Sequence, residues 1–168
     1  DSSTSRGLGD VYKRQAQHNS MTCTHLDVPC NKDNLVMRAL ALFSQRAPVF
    51  CRPLAVRLEK RIPVGAGLGG GSADAAATLR ALNVLHDHPF DAEGLSVLAA
   101  ELGSDIPFLM GGGTAVMRGR GEVLQPLDWI GDIYYVLVYP DLAVSTAWAY
   151  GHVDPTLTDQ NPYTTFVN

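Results

Sequence analysis

The sequence predicts an α+β fold in which a strand, a glycine-rich loop and a helix follow one another without interruption. Three observations carry that reading. Leu54, Val56 and Leu58 alternate with Ala55, Arg57 and Glu59, the two-residue period of a half-buried strand. The run Pro63-Val64-Gly65-Ala66-Gly67-Leu68-Gly69-Gly70-Gly71-Ser72 is nearly devoid of large side chains. Beyond it, Ala75, Leu79, Leu82 and Leu85 recur at the spacing of one helix face, with Ala73, Ala76 and Ala77 small enough to let a neighbouring backbone approach.

A chain of 168 residues, 46% of them hydrophobic, can bury one sizeable core. Its formal net charge of -4 lacks the basic surplus that steers proteins to nucleic acid or anionic membranes, so a small-molecule partner is expected. Cys23, Cys30 and Cys51 show none of the paired spacings of a zinc site or redox motif and read as reduced thiols. No apolar run is long enough to cross a bilayer, and the expectation is a cytoplasmic protein.

Taken in order, residues 1–15 (DSSTSRGLGDVYKRQ) show no strand or helix periodicity and read as a non-native leader similar to translated adaptor sequence. Its Gly7-Leu8-Gly9 is not taken as a second phosphate loop. A first helix is predicted from a capping Asp33, with Leu35, Ala39 and Leu42 on one face and a stop at Pro48. After the glycine loop and its helix, a further helix starts at a capping Asp91, turns Leu95, Leu98 and Leu102 inward and ends at a left-handed Gly103. Asp105 follows in a turn. Residues 113–117 and 133–139 are β-rich and predict two strands, separated by the turn Gly119-Arg120-Gly121-Glu122 and by Pro126. Ser145 or Thr146 can cap a short helix through Tyr150, before Pro155 and Pro162 interrupt a polar tail.

The chemistry concentrates in the glycine loop. Without side chains in the way, its amides can touch an anion directly, and the first turn of the following helix adds free N–H groups and the positive end of its dipole, expected at Ser72 to Asp74. Gly65, Gly67 and Gly70 also satisfy a dinucleotide fingerprint. That fingerprint requires an acidic residue ending a second strand about twenty residues on, where this chain has the end of a helix. A Walker loop requires a lysine directly before Ser72, and Gly71 stands there. A turn with no ligand at all is disfavoured, because five glycines in the seven positions 65–71 cost conformational entropy with no packing in return.

The stretch from Pro63 through Gly67-Leu68-Gly69 to Ser72-Ala73-Asp74 resembles the second motif of the GHMP kinases, a proline, three residues, then Gly-Leu-Gly and small residues. Lys60-Arg61-Ile62-Pro63, the triple Gly69-Gly70-Gly71, Asp33-Asn34-Leu35, Gly103-Ser104-Asp105-Ile106-Pro107-Phe108, Gly119-Arg120-Gly121-Glu122 and the run from Pro140 to Thr146 narrow the resemblance to the 4-diphosphocytidyl-2-C-methyl-D-erythritol kinase family. It extends colinearly over 22–154.

That resemblance implies the GHMP kinase fold, with an N-terminal domain like domain 2 of ribosomal protein S5, truncated. Residues 16–140 would be the ATP-binding domain lacking its first strands, and 141–168 the start of a C-terminal domain. It implies phosphorylation of the 2-hydroxyl of 4-diphosphocytidyl-2-C-methyl-D-erythritol with ATP and Mg2+, in the non-mevalonate route to isoprenoid precursors. Asp105 falls on the family's catalytic aspartate. Pro63, Val64, Gly65, Ala66, Gly67, Leu68, Gly69, Gly70, Gly71, Ser72 and Ala73 fall on the ATP-binding loop, and Lys60 and Asn34 fall near the adenine. Read from the residues alone, Lys60 is equally a surface charge, Asn34 a helix-capping amide and Ser72 a helix cap. The family's N-terminal catalytic lysine, its Gly-Tyr-His segment and its third, Gly-Thr-Gly-Ala-like motif have no match, and Ala73 stands where a second serine is usual. Another GHMP kinase, acting on mevalonate, homoserine or a sugar, and a non-catalytic nucleotide-binding module are the alternatives. Oligomeric state is not legible.

Overall fold

The computed structural model describes residues 11–15, 18–48, 52–121, 123–128, 134–140 and 144–152. Strands β1 (Val11–Gln15), β2 (Ser20–Cys23) and β3 (Leu54–Leu58) form one sheet with β3 central, antiparallel to β1 and parallel to β2. Helices α1 (Leu35–Arg46), α2 (Gly70–Leu85), α3 (Ala92–Leu102) and the short α4 (Ile106–Gly111) share a core with it. Strands β4 (Thr114–Arg118) and β5 (Val123–Leu127) make a separate hairpin, and α5 (Thr146–Gly151) follows.

The central strand has the predicted alternation. Leu54, Val56 and Leu58 are buried while Arg57 is exposed. Their face meets Met21 of β2, Val36, Ala39, Leu40 and Phe43 of α1, and Ala75, Leu79 and Leu82 of α2 in a single apolar cluster. Leu85, expected on the same face of α2, is 38% exposed at the last position of the helix. Helix α1 is capped one residue later than expected, by Asn34 rather than Asp33. The Asn34 Oδ1 accepts the Val36 N–H at 2.8 Å and its Nδ2 donates to the Pro29 carbonyl at 2.8 Å.

Other expectations change. Residues 11–15 were read as having no regular element, yet they pair along β3 from Val11↔Leu58 to Gln15↔Leu54. A central strand offers hydrogen bonds on both edges, and a five-residue segment needs no hydrophobic alternation of its own to accept them. Gly103 is not left-handed; its φ of 175° is extended backbone, and α3 stops because the chain turns directly into α4. The cap at Asp91 holds, its Oδ1 accepting the Gly94 N–H at 2.8 Å. The strand expected over 133–139 is absent over its described part, 134–139. Tyr134 is 91% and Val136 89% exposed there, and β-branched and aromatic residues form a strand only against a partner. Instead β5 pairs with β4 and includes Pro126 opposite Ala115. Proline is tolerated because both strands of a two-stranded hairpin are edges. Ser145 caps α5 weakly, its Oγ accepting the Trp148 N–H at 3.4 Å.

Cys23 and Cys30 are free thiols, as expected. Cys51, Gly7 to Gly9, Glu122, Pro155 and Pro162 lie outside the described residues. Among the described residues no helix is long and apolar enough to cross a membrane.

Candidate nucleotide-binding site

Strand β3 delivers the chain to Glu59 at the sheet's edge, and the segment from Lys60 to Gly69 crosses to α2. Along it Gly65, Gly67 and Gly69 have φ of 73°, 70° and 66°. Every second residue is therefore left-handed, the kind of alternation that gathers successive N–H groups into an anion-binding concavity. Gly69 is the N-cap of α2 with φ 66° and ψ 13°, a conformation a side chain would strain, and no side chain caps the helix in its place.

The helix thus begins two residues before Ser72. Ser72 does not cap it; it is the third residue of the first turn, and the serine signal misled because a helix start is read most readily from a hydroxyl. The amides without an intrahelical acceptor move with it, to Gly69 through Ser72 rather than to Asp74, and the Ala73 N–H already donates to the Gly69 carbonyl at 2.8 Å. Of the three first-turn residues Gly71 is exposed and has no side chain, which leaves ligand atoms an approach to these donors, whereas Gly70 is buried.

Loop and helix start form one wall of an open cleft of about 370 Å³. Its lining takes in every residue from Pro63 to Ser72, together with Lys60 and Asn34; Ala73 is not part of it. The rest of the lining is Asp27, Val28, Pro29, Asp33 and Leu35, residues not legible in the sequence as site residues beyond the helix start at Asp33. All but Leu35, the first residue of α1, come from the β2–α1 connection, whose fold depends on the Asn34 cap. The amide of Asn34 is committed to that cap and to Pro29, so its role at the cleft is to shape the wall.

Lys60 is no surface charge. Its Nζ lies 2.6 Å from Asp74 Oδ2, with side chains only 6% and 9% exposed. Asp74, on the second turn of α2, is a partner of Lys60 that the sequence did not mark.

Asp105 is the N-cap of α4, exposed, with no side-chain capping bond. It does not line the cleft. Its helix does reach the loop: a methyl placed on Gly69 would lie 3.8 Å from Leu109 Cδ1, one turn along from Asp105. From the other side, the β4–β5 turn presses on the peptide that carries Asp105. Gly121 is buried with φ 110°, and a Cβ there would meet the Ser104 carbonyl oxygen at 2.6 Å. Gly121→Ala is therefore expected to cost about 1–3 kcal/mol of stability, from backbone strain and from displacing that peptide. Thermal unfolding of the variant beside the parent measures it.

Among the described residues no group of three or more His, Cys, Asp or Glu side chains could hold a metal ion. Mg2+ enters many nucleotide sites on the phosphates themselves, with few protein ligands. Ser72 lies in the cleft beside the free amides.

The family of GHMP kinases N terminal domains matches residues 34–113. The chain is 46% identical over 141 residues to a 4-diphosphocytidyl-2-C-methyl-D-erythritol kinase of Gloeobacter violaceus, covering 83% of this chain and 46% of the relative. It is 50% identical over 139 residues to a protein of the same name from Pelotomaculum thermopropionicum, covering 82% and 48%. A crystal structure of a 4-(cytidine 5'-diphospho)-2C-methyl-D-erythritol kinase superposes with a TM-score of 0.65 at 35% identity, over 87% of this chain and 51% of that one. The chain spans about half the length of the relatives it matches. The family match runs from the α1 cap through β3, the glycine loop, α2, α3 and α4, and includes the loop and helix start that line the cleft. Over residues 34–113, then, the chain is similar to the N-terminal domain of the GHMP kinases.

Proposed function

We propose that this chain is the nucleotide-binding part of an ATP-dependent kinase that phosphorylates the 2-hydroxyl of 4-diphosphocytidyl-2-C-methyl-D-erythritol in the cytoplasm, on the non-mevalonate route to isoprenoid precursors. The observation that carries it is the cleft, where a loop of alternating left-handed glycines feeds the open N-terminus of α2. Residues 16–140 would be the ATP-binding domain and 141–168 the entry into a second domain, with 1–15 a non-native leader.

In this reading the amides of Gly69 to Ser72 receive the phosphates, and Lys60 with the 27–35 wall receives the rest of the nucleotide. Mg2+ bound with ATP would neutralise charge during transfer, and Ser72 is the side chain that would help to hold it. Asp105 orients the acceptor hydroxyl and takes its proton. Phosphoryl transfer asks for little more than such positioning and charge neutralisation. The relatives' printed names supply the acceptor. Because the chain spans about half their length, it is expected to bind ATP without turning it over.

Calorimetric titration of the 168-residue chain with ATP tests the first half, with a Kd within the range of about 1 μM to 1 mM expected. No binding at several millimolar ATP would overturn the reading. Product analysis of the full-length protein with 4-diphosphocytidyl-2-C-methyl-D-erythritol, mevalonate and homoserine tests the second. Phosphate on either of the latter two alone would assign a different GHMP activity.

A further inference from the structure

Resting on the nucleotide site proposed above, we propose that Asp74 is a positioning residue of that site, holding the Lys60 ammonium in place against the first turn of α2. The observations are steric and electrostatic. The Lys60 backbone is fixed where it leaves β3, its N–H donating to Thr24 Oγ1 at 2.9 Å, while Thr24 N–H donates to the Leu58 carbonyl at 3.0 Å. From there the side chain runs under the helix start. A Cβ at Gly70 would lie 2.8 Å from Lys60 Nζ and 2.9 Å from Ile62 Cγ2, so the ammonium occupies the space that glycine leaves. Gly70 and Asp74 are one helical turn apart on the same face of α2.

A lysine has no reason to sit there unaided. It gives up the rotamer freedom of its long side chain, it is withdrawn from water, and it lies at the positive end of a helix dipole, where a cation is repelled. The Asp74 carboxylate, at 2.6 Å, offsets all three costs. An ammonium has three N–H donors, and this contact uses one of them. Lys60 lines the cleft, so a donor held in one orientation is available to a bound nucleotide with no ordering left to do. The pair is also locally neutral, which leaves the attraction for phosphate to the loop and helix amides.

The test is a double-mutant cycle on ATP affinity in the 168-residue chain, each variant's thermal unfolding being recorded so that affinity refers to folded protein. Asp74→Asn keeps the shape and removes the charge that holds Lys60. It is expected to weaken ATP about tenfold, as Lys60→Met does, and to have no further effect in the Lys60→Met background. A role confined to folding would not produce that loss of additivity. Should Asp74→Asn not fold, Asp74→Glu carries the same comparison, with a several-fold loss expected only where Lys60 is present. ATP affinity equal to the parent's, or an equal loss with and without Lys60, would overturn the role of Asp74 while leaving the nucleotide site standing. Failure of the parent chain itself to bind ATP would instead bring down the kinase reading, and the role of Asp74 with it.

Discussion

Replacing Asp105 with asparagine in the full-length protein is expected to leave ATP affinity unchanged and to lower the rate of phosphoryl transfer by about 10²–10⁴-fold, the contribution of a positioned general base. The structure makes this a clean substitution. Asp105 is exposed, it caps α4 without using its side chain, and asparagine is as good an N-cap residue as aspartate, so the fold loses nothing. It lies outside the cleft lining, so nucleotide binding has no contact to lose. What changes is one carboxylate oxygen. Its backbone is held from two directions, by α4 packed at Leu109 against Gly69 and by Gly121 against the Ser104 carbonyl. Such bracing is what a group needs to meet a hydroxyl at a fixed distance from a phosphate. ATP titration and single-turnover transfer separate the two quantities, and transfer near the parent rate would remove Asp105 from the mechanism.

The parts of this site that were legible in the sequence are those that depend on local geometry. Strand β3 announced itself by its period, α2 by its alanines and leucines, and the glycine loop by composition. The family resemblance pointed to Lys60 and Asn34, which line the cleft, and to Asp105, which does not. What was hidden depends on how elements meet. Lys60 and Asp74 are fourteen positions apart, and only the rotational phase of α2 relative to β3 makes them a pair. That phase follows from a helix starting at Gly70, while the serine at position 72 pointed elsewhere. Residues 27–29 have neither periodicity nor a motif, and they line the cleft where Asn34 caps α1 and ties down Pro29. Residues 134–139 failed in the opposite sense, with strong strand propensity and no strand partner among the described residues. Residues 11–15 had no pattern and were given a strand by the free edge of β3.

Phe43→Ala should cost about 3–5 kcal/mol of stability, and lower the unfolding temperature by on the order of 10 °C, while leaving ATP affinity per folded molecule intact. Phe43 is fully buried at 0% exposure. Its ring meets Phe90 edge-on with centroids 5.2 Å apart, and His86 at 5.9 Å, joining the end of α1 to the end of α2 and to the start of α3. Truncation leaves a cavity that these three chain segments cannot close without moving, because Asn83 ties the intervening turn down by bonds to both the N–H and the carbonyl of Phe90. The glycine loop is at the other end of α2. Sixteen helical residues separate the two ends by roughly 24 Å, and the loop's own shape comes from backbone conformation and from the Lys60 segment. Stability and binding should therefore come apart. Val84→Ala, at a position 52% exposed on the same helix, serves as the comparison and is expected to change stability by no more than about 0.5 kcal/mol. A parallel fall in ATP affinity for Phe43→Ala, after correction for the folded fraction, would mean that the packing at this end of α2 sets the geometry at the other, and that the cleft is not shaped locally.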